Sequence, residues 1–460
     1  MEEDITGLRA RIAQMQPVRA VGRVQSVDGT IIWVRGLAED ACIGDRLRLM
    51  HPGNVLGGEV LRIRDDLVAM LPDEPAEGVS RGDRVAVLGP PTLAPCDSWI
   101  GRVIDAYGRP LDGAPIGPGA QRRPFRASPP PAAARRRLGE RLRTDLSVFD
   151  TLLPIVTGQR VGLFAGSGVG KSRLLAQLAQ GMEADVVVLA LVGERGREVL
   201  DFVTSVLGPE GMARSVVVAA TSDRSPLERR RCPLAAMTIA EHFRDQGKHV
   251  LYLADSITRF AEAHREVAIA SGELPALRGH PPSVAHQIMR LAERAGPGLQ
   301  GTGDITAVFS VLVAGSDMDE PVADILRGVL DGHVVLDRQI AERGRFPAID
   351  LLRSVSRSLP EAASDHENTL IQRVRGLLGA YAKSETMVRA GLYREGEDPL
   401  LDQAMKVWSD LDAFLAEKSP DGPEGAFQKL ELILRRAQAG VPQGRPAPGR
   451  GGQMPVARKM

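Results

Sequence analysis

The chain has 460 residues, 43% of them hydrophobic, enough to bury a large core and to divide into two to four domains. Lys plus Arg equals Asp plus Glu at 58 each, so no overall field draws the molecule to nucleic acid or anionic lipid, and 4% aromatic residues leave few rings on which to stack bases. Cys42, Cys96 and Cys232 stand far apart without paired histidines, which argues against a disulfide framework or a zinc site.

No apolar run approaches the length of a membrane span, and the start Met1-Glu2-Glu3-Asp4 is unlike a signal peptide, so a cytoplasmic protein is expected. Residues 1–17 form an arm. Within it Ile5, Leu8, Ile12 and Met15 draw a narrow apolar stripe along a short helix, which either packs on its own protein or docks a partner helix. From 18 to 95 the texture is β-rich: Val21–Val24, Thr30–Val34, Arg46–Leu49, Glu59–Ile63, Leu67–Met70 and Arg84–Leu88 alternate with turn signals such as Asp28-Gly29. Six short strands predict a small barrel. Its only ring is Trp33, which favours a structural or subunit-contact role over oligonucleotide binding.

A larger central domain is expected over 96–358. Within it 114–143 is a seam rich in Pro, Ala and Arg, with Arg122-Arg123 and Arg135-Arg136-Arg137 flanking Pro129-Pro130-Pro131, and it predicts an exposed, solvated connection. Apolar strands at Arg160–Ala165, Val186–Val192, Val216–Ala220, His249–Ala254, Thr306–Val313 and Val334–Leu336 then alternate with helical stretches. That pattern predicts a doubly wound α/β domain with a parallel sheet covered on both faces. The first strand runs into Ala165-Gly166-Ser167-Gly168-Val169-Gly170-Lys171-Ser172. A strand, a glycine-rich turn and Lys-Ser opening a helix make a phosphate-binding loop, because the backbone N–H groups can close around a polyanion. Lys171 would reach the outer phosphates of ATP, and the Ser172 hydroxyl would ligate Mg²⁺. Ala165 replaces the usual first glycine, at a position that only ends the strand.

Two carboxylates close neighbouring strands. Asp255 follows Val250–Ala254 and is placed to hold Mg²⁺, whereas Glu194 follows Leu189–Gly193 and could deprotonate an attacking water. Beyond Pro360 the chain turns helical, with runs at 366–390, 399–418 and 424–439. Leu370, Val374, Leu377, Leu378 and Tyr381 keep helical spacing, so residues 359–440 are expected to form a helical domain. The tail, 441–460, is Gly- and Pro-rich and basic, a composition that predicts disorder.

Several motifs then stand in a telling order: Gly101–Gly113 (GRVIDAYGRPLDG), Gly193–Val199 (GERGREV), Asp255–Phe260 (DSITRF), Arg278–Ser283 (RGHPPS), Leu330–Leu336 (LDGHVVL) and Pro347–Arg357 (PAIDLLRSVSR). Over roughly residues 18–400 the chain resembles the rotary-ATPase-like superfamily, and within it the flagellar protein-export ATPases and their virulence-type secretion relatives. The resemblance implies a RecA-like core and a homohexamer with active sites at subunit boundaries. It implies that Glu194 is the catalytic glutamate and Arg195 its phosphate-contacting neighbour. It gives Asp255 the role of magnesium aspartate, places Arg259 facing the phosphates, and makes Arg357 an arginine finger given to the adjacent subunit. Phe346 falls where an aromatic lies against adenine. His280 and Ala285 depart from the Tyr and Phe common in the family's pore loop.

The same resemblance implies a helical regulatory partner at the arm, export substrates with their chaperones, and a membrane export gate at whose inner face the protein would act peripherally. No nucleic-acid partner is expected. The alternatives are the virulence-type secretion branch and the catalytic subunit of a rotary ATP synthase, whose acidic C-terminal lever has no counterpart between Leu370 and Leu415. An RNA-translocating ring is disfavoured by the scarcity of rings in the barrel, and a non-catalytic subunit by the presence of Lys171, Glu194 and Asp255 together.

Overall fold

The computed structural model describes residues 18–51, 53–313, 318 and 320–438; the apolar-striped arm and the basic tail lie outside them. Six strands, β1 (Val21–Asp28), β2 (Ile31–Arg35), β3 (Arg46–His51), β4 (Asn54–Arg64), β5 (Leu67–Pro72) and β6 (Arg84–Gly89), close into a barrel in the order β1-β2-β5-β4-β3-β6. Two-residue alternation decides which side chains go inward: Leu47 and Leu49 of β3 are fully buried, and they meet Val24, Ile32, Val34, Val60, Val68 and Met70 in the barrel's interior.

The barrel's outer wall is not free. Ile31, Leu61, Ala69 and Leu71 pack on Leu227 and Val267 of the core, with Trp33 half-buried beside them under the Arg62 guanidinium, 5.6 Å from its ring. The one ring of the barrel is therefore spent on the junction with the core. Glu59 is buried in the same junction and receives Arg230 and Arg231 of the core at 2.6 Å each.

The core is an eight-stranded sheet. In chain order its strands are β7 (Val103–Ile104), β8 (Arg160–Ala165), β9 (Val186–Val192), β10 (Ser215–Ala220), β11 (Val250–Asp255), β12 (Ile305–Leu312), β13 (Gly332–Leu336) and β14 (Ile349–Ser356). They lie in the order β14-β13-β8-β12-β11-β9-β10-β7. All seven residues of β9 and all six of β10 are buried, as strands covered on both faces must be. One face carries α1 (Lys171–Gly181) and α2 (Gly196–Asp201). The other carries α3 (Pro226–Asp245), α4 (Ile257–Ala270), α5 (Ser283–Arg294) and α6 (Pro321–Val329).

Two features go beyond the expected parallel sheet and exposed seam, a further antiparallel strand and arginines that are paired. β14 runs antiparallel to β13, with Leu336 opposite Ile349 and Gly332 opposite Ser356. The connection between them carries only the short helical turn Arg338–Glu342, which turns the chain back instead of carrying it across the sheet. The arginines of the seam, in turn, are largely engaged. Arg123 meets Asp245 at 2.6 Å, Arg136 meets Asp304 at 2.7 Å, and Arg135 donates to the carbonyls of Ala295 at 3.2 Å and Glu293, while Pro131–Ala134 does stay exposed. Their acceptors lie more than a hundred residues away, so local composition could not reveal them.

Helices α7 (Asp365–Arg389), α8 (Pro399–Phe414) and α9 (Gly422–Gln438) follow the sheet. A capping box between Ser364 and Glu367 starts α7. Leu370, Val374 and Leu377 are buried in the helix's inner face, and Tyr381 stacks on Trp408 of α8 at 4.9 Å. Arg375 donates to the carbonyls of Leu351 and Ser354, both at 3.1 Å, and so pins α7 to β14. Among the described residues no helix is long and apolar enough to cross a membrane.

The Glu59 bridge gives the first prediction. Removing one member of a buried ion group leaves uncompensated charge at a cost of about 3–5 kcal/mol. Glu59→Ala should lower the urea midpoint seen by intrinsic fluorescence, to which Trp33 at the junction contributes. An unchanged midpoint would show that the bridge adds nothing to the barrel's attachment.

Candidate active site

Parallel strands bring their carboxyl ends to one edge, and the loops leaving β8, β9 and β11 meet there. β8 ends on Ala165, fully buried, and α1 begins at Lys171. Gly170 makes that turn with φ of +89°, a conformation that favours glycine, and a Cβ on it would come within 3.1 Å of the Phe346 ring. Phe346 is thus held beside the phosphate-binding loop, with its side chain still 45% exposed.

Lys171 is buried and its ammonium donates to Asp255 at the end of β11, with Glu194 4.0 Å away at the end of β9. Ser310 of β12 donates to the same Asp255 oxygen at 2.8 Å. Burial, and next the negative charge of Asp255, push the Glu194 carboxyl up to about 7, with Lys171 partly offsetting them. Gly193 N–H donates to Ala220 at 2.7 Å, and Ser222 N–H donates to the Glu194 carbonyl at 2.9 Å, so the end of β10 steadies the Glu194 loop. Gly193 has φ of +70°, and a Cβ there would press on the Arg259 stem at 3.3 Å. The Arg259 stem therefore passes closely over the residue before Glu194.

Ser172, Glu194 and Asp255 line one cleft of about 200 Å³, together with Glu198, Phe202 and Val206. The last two belong to Phe202–Leu207, which winds as a π-helix directly after α2, an irregularity that often marks functional sites. The oxygen donors Ser172 and Asp255 suit a hard cation such as Mg²⁺, and Asp255 already binds the cationic Lys171. Neither His280 nor Ala285 is among the cleft's residues.

Not every expected residue converges. Arg195 is 82% exposed and turns to Glu198 at 3.7 Å. Arg259 meets Glu262 at 3.1 Å. Arg357 is remote. β14 is antiparallel, so its last residue Ser356 lies level with Gly332, the first residue of β13, and the Arg357 N–H donates to Asp331, which itself donates to Arg160 at the start of β8. The phosphate-binding loop begins past the other end of β8. At about 3.3 Å per residue, that six-residue strand separates the two by roughly 16–20 Å, beyond the reach of an arginine. The exposed Arg357 guanidinium meets only the Arg327 carbonyl, at 3.1 Å, among the described contacts.

The sequence reading missed Ser310, Glu198 and Phe202. Ser310 could be found only by knowing that β12 lies next to β11, and Phe202 only by seeing that the helix widens there.

The sequence model of the ATP synthase alpha/beta family nucleotide-binding domain matches residues 145–356, and that of the T3SS EscN ATPase C-terminal domain matches 363–422. The chain is 43% identical, over 93% of its own length and 99% of the relative's, to a flagellum-specific ATP synthase of Caulobacter vibrioides. The chain belongs to the family of flagellum-specific ATP synthases and type III secretion ATPases. It is also 42% identical to the SPI-2 type 3 secretion system ATPase of Salmonella typhimurium, over 90% of this chain and 94% of that one. The assembled ATPase EscN, solved in complex with its central stalk EscO from enteropathogenic E. coli, matches with a TM-score of 0.82 at 38% identity, covering 90% of this chain and all of that one. The family and fold expected from the motifs are borne out, and the helices after the sheet match the secretion type of C-terminal domain.

The raised Glu194 carboxyl can be measured directly. Infrared difference spectra between the nucleotide-free protein and Glu194→Gln should give a titration midpoint near 7. Lys171→Ala should move it higher, since the ammonium is the group that lowers it. A midpoint near the ordinary 4.5 would mean that the cleft is wetter and less crowded than the structure has it.

Proposed function

We propose that this chain hydrolyses ATP as one subunit of a homohexameric ring and that the ring energises delivery of proteins into a flagellar export apparatus. The observation that supports the reading is that Lys171, Glu194 and Asp255 meet at one edge of the sheet, while Arg357 stands at the far end, out of reach of its own subunit's cleft.

In this reaction the backbone of Gly166, Ser167, Gly168, Val169 and Gly170 wraps the phosphates, and Lys171 leaves Asp255 for the outer phosphate oxygens. Ser172 and Asp255 hold Mg²⁺, which neutralises phosphate charge when bound. Glu194 accepts a proton from the attacking water; with its carboxyl held near 7 it is poised to do so close to neutral pH. Arg195 and Arg259 leave Glu198 and Glu262 to turn towards the phosphates as charge moves, and Phe346 offers its exposed face to adenine. Arg357 of one subunit meets the transferring phosphoryl group of the next, the contribution that arginine fingers make to such reactions.

The export branch is favoured over a rotary synthase because the helices after the sheet match the secretion type of C-terminal domain. The protein acts in the cytoplasm, peripherally at the membrane's inner face, with export substrates, their chaperones and the membrane gate as partners. The arm, with its stripe of Ile5, Leu8, Ile12 and Met15, is the proposed dock for a helical regulator. EscN's solved complex with a central stalk supports a ring with a coaxial partner.

Lys171→Ala should weaken equilibrium binding of ATP. Glu194→Gln should bind nucleotide normally yet lose at least about 10²-fold in single-turnover hydrolysis, the size of a general-base contribution. Near-normal hydrolysis by Glu194→Gln would remove it from the chemistry.

A further inference from the structure

A second cleft, of about 180 Å³, opens where the barrel meets α3 and α5. Five arginines line it: Arg126 from the seam, Arg230 and Arg231 from α3, and Arg290 and Arg294 from α5. Only two carboxylates answer them. Glu59 takes Arg230 and Arg231, and Glu241 takes both arms of Arg294 at 2.7 and 2.8 Å. Arg126 reaches no nearer than 3.7 Å to Glu59, whose oxygens are already engaged.

Two groups are left unanswered. Arg231 is 97% buried, wedged 4.9 Å from the Tyr107 ring and 5.8 Å from the Phe125 ring, yet its Nη1 has no hydrogen-bond partner. Half-buried Arg290 has no carboxylate partner among the described residues; its guanidinium meets only the Arg126 carbonyl, at 3.5 Å. A buried guanidinium nitrogen without an acceptor is costly, and crowded like charges add to that. An anion in the cleft would relieve both. The cleft is well above the ~10–15 Å³ that one water requires. Several guanidinium forks from three elements converge on it, an arrangement that suits the many oxygens of a phosphate better than a single carboxylate.

We propose that this cleft binds a diphosphate group, free or carried on a nucleotide, at the junction of barrel and core and apart from the cleft of Lys171 and Glu194. Bound there, the anion bridges the seam, α3 and α5 beside the barrel's Glu59, and so tightens the barrel on the core.

Isothermal titration of the full chain carrying Lys171→Ala, in magnesium-free buffer, tests this with pyrophosphate and, separately, ADP as probes. Each subunit should bind one equivalent, and Arg290→Ala should weaken binding at least about 10-fold, the worth of one charge-assisted hydrogen bond. Arg290 has no carboxylate to leave unpaired, so that variant should fold, and Arg290→Lys should fall between it and the parent. Tighter binding of pyrophosphate would point to a free anion, tighter binding of ADP to a nucleotide. Failure of both probes to bind would overturn the proposal. So would binding unmoved by Arg290→Ala, or an equal loss from Arg338→Ala, an exposed arginine elsewhere.

Discussion

Lys171 sits in a buried cleft between two carboxylates that would repel each other without it. Asp255 takes the ammonium directly, with a further hydrogen bond from Ser310, and burial, then the charge of Asp255, raise the Glu194 carboxyl to about 7. That triad can exist only because β8, β9 and β11 are parallel and end at the same edge, and they are parallel because helices on both faces carry the chain back each time. Nearly every residue of β9, β10 and β11 is buried to secure this arrangement. In the proposed reaction a polyphosphate competes for Lys171, which releases Asp255 for the metal and leaves Glu194 next to the water.

One reversal sets the remaining expected residue apart. Because β14 returns antiparallel, Arg357 is delivered to the opposite end of the sheet from the loop it is expected to serve. Lys171, Glu194 and Asp255 meet at one edge of the sheet, and Arg357 stands apart from them. The helices behind β14 reinforce the placement, since Arg375 of α7 holds the strand by two of its carbonyls. At the other end of the molecule the barrel is fixed by an apolar wall around Trp33 and by the buried Glu59 with its two arginines. Charge pairs of this kind orient parts more than they stabilise them.

Much of this was legible in the chain. The strand, glycine turn and Lys-Ser of Ala165–Ser172 locate the cleft, the carboxylates ending Val250–Asp255 and Leu189–Glu194 fall into it, and alternation in Arg46–Leu49 already shows which face turns inward. What stayed hidden depends on partners distant in sequence. The seam's arginines look solvated until Asp245, Asp304 and the carbonyls of α5 are brought beside them, and β14 looks like a motif and not a strand because its burial alternates irregularly. Ser310 carries no signal at all without the order of the strands. Arg195 and Arg259 lie close to the cleft in sequence but engage Glu198 and Glu262, each three residues further along its own helical stretch.

The claim that a single subunit holds an incomplete site is most directly tested by mixing two inactive variants. Lys171→Ala subunits keep Arg357 but lack a working cleft, and Arg357→Ala subunits keep the cleft but lack the finger. Each alone should hydrolyse ATP slowly, by about 10³-fold or more in the second case. Co-assembled rings, verified as mixed by native mass spectrometry, should regain activity at boundaries where an intact Arg357 faces an intact Lys171. Mixed rings no more active than their parents, or full activity of Arg357→Ala alone, would contradict the shared site.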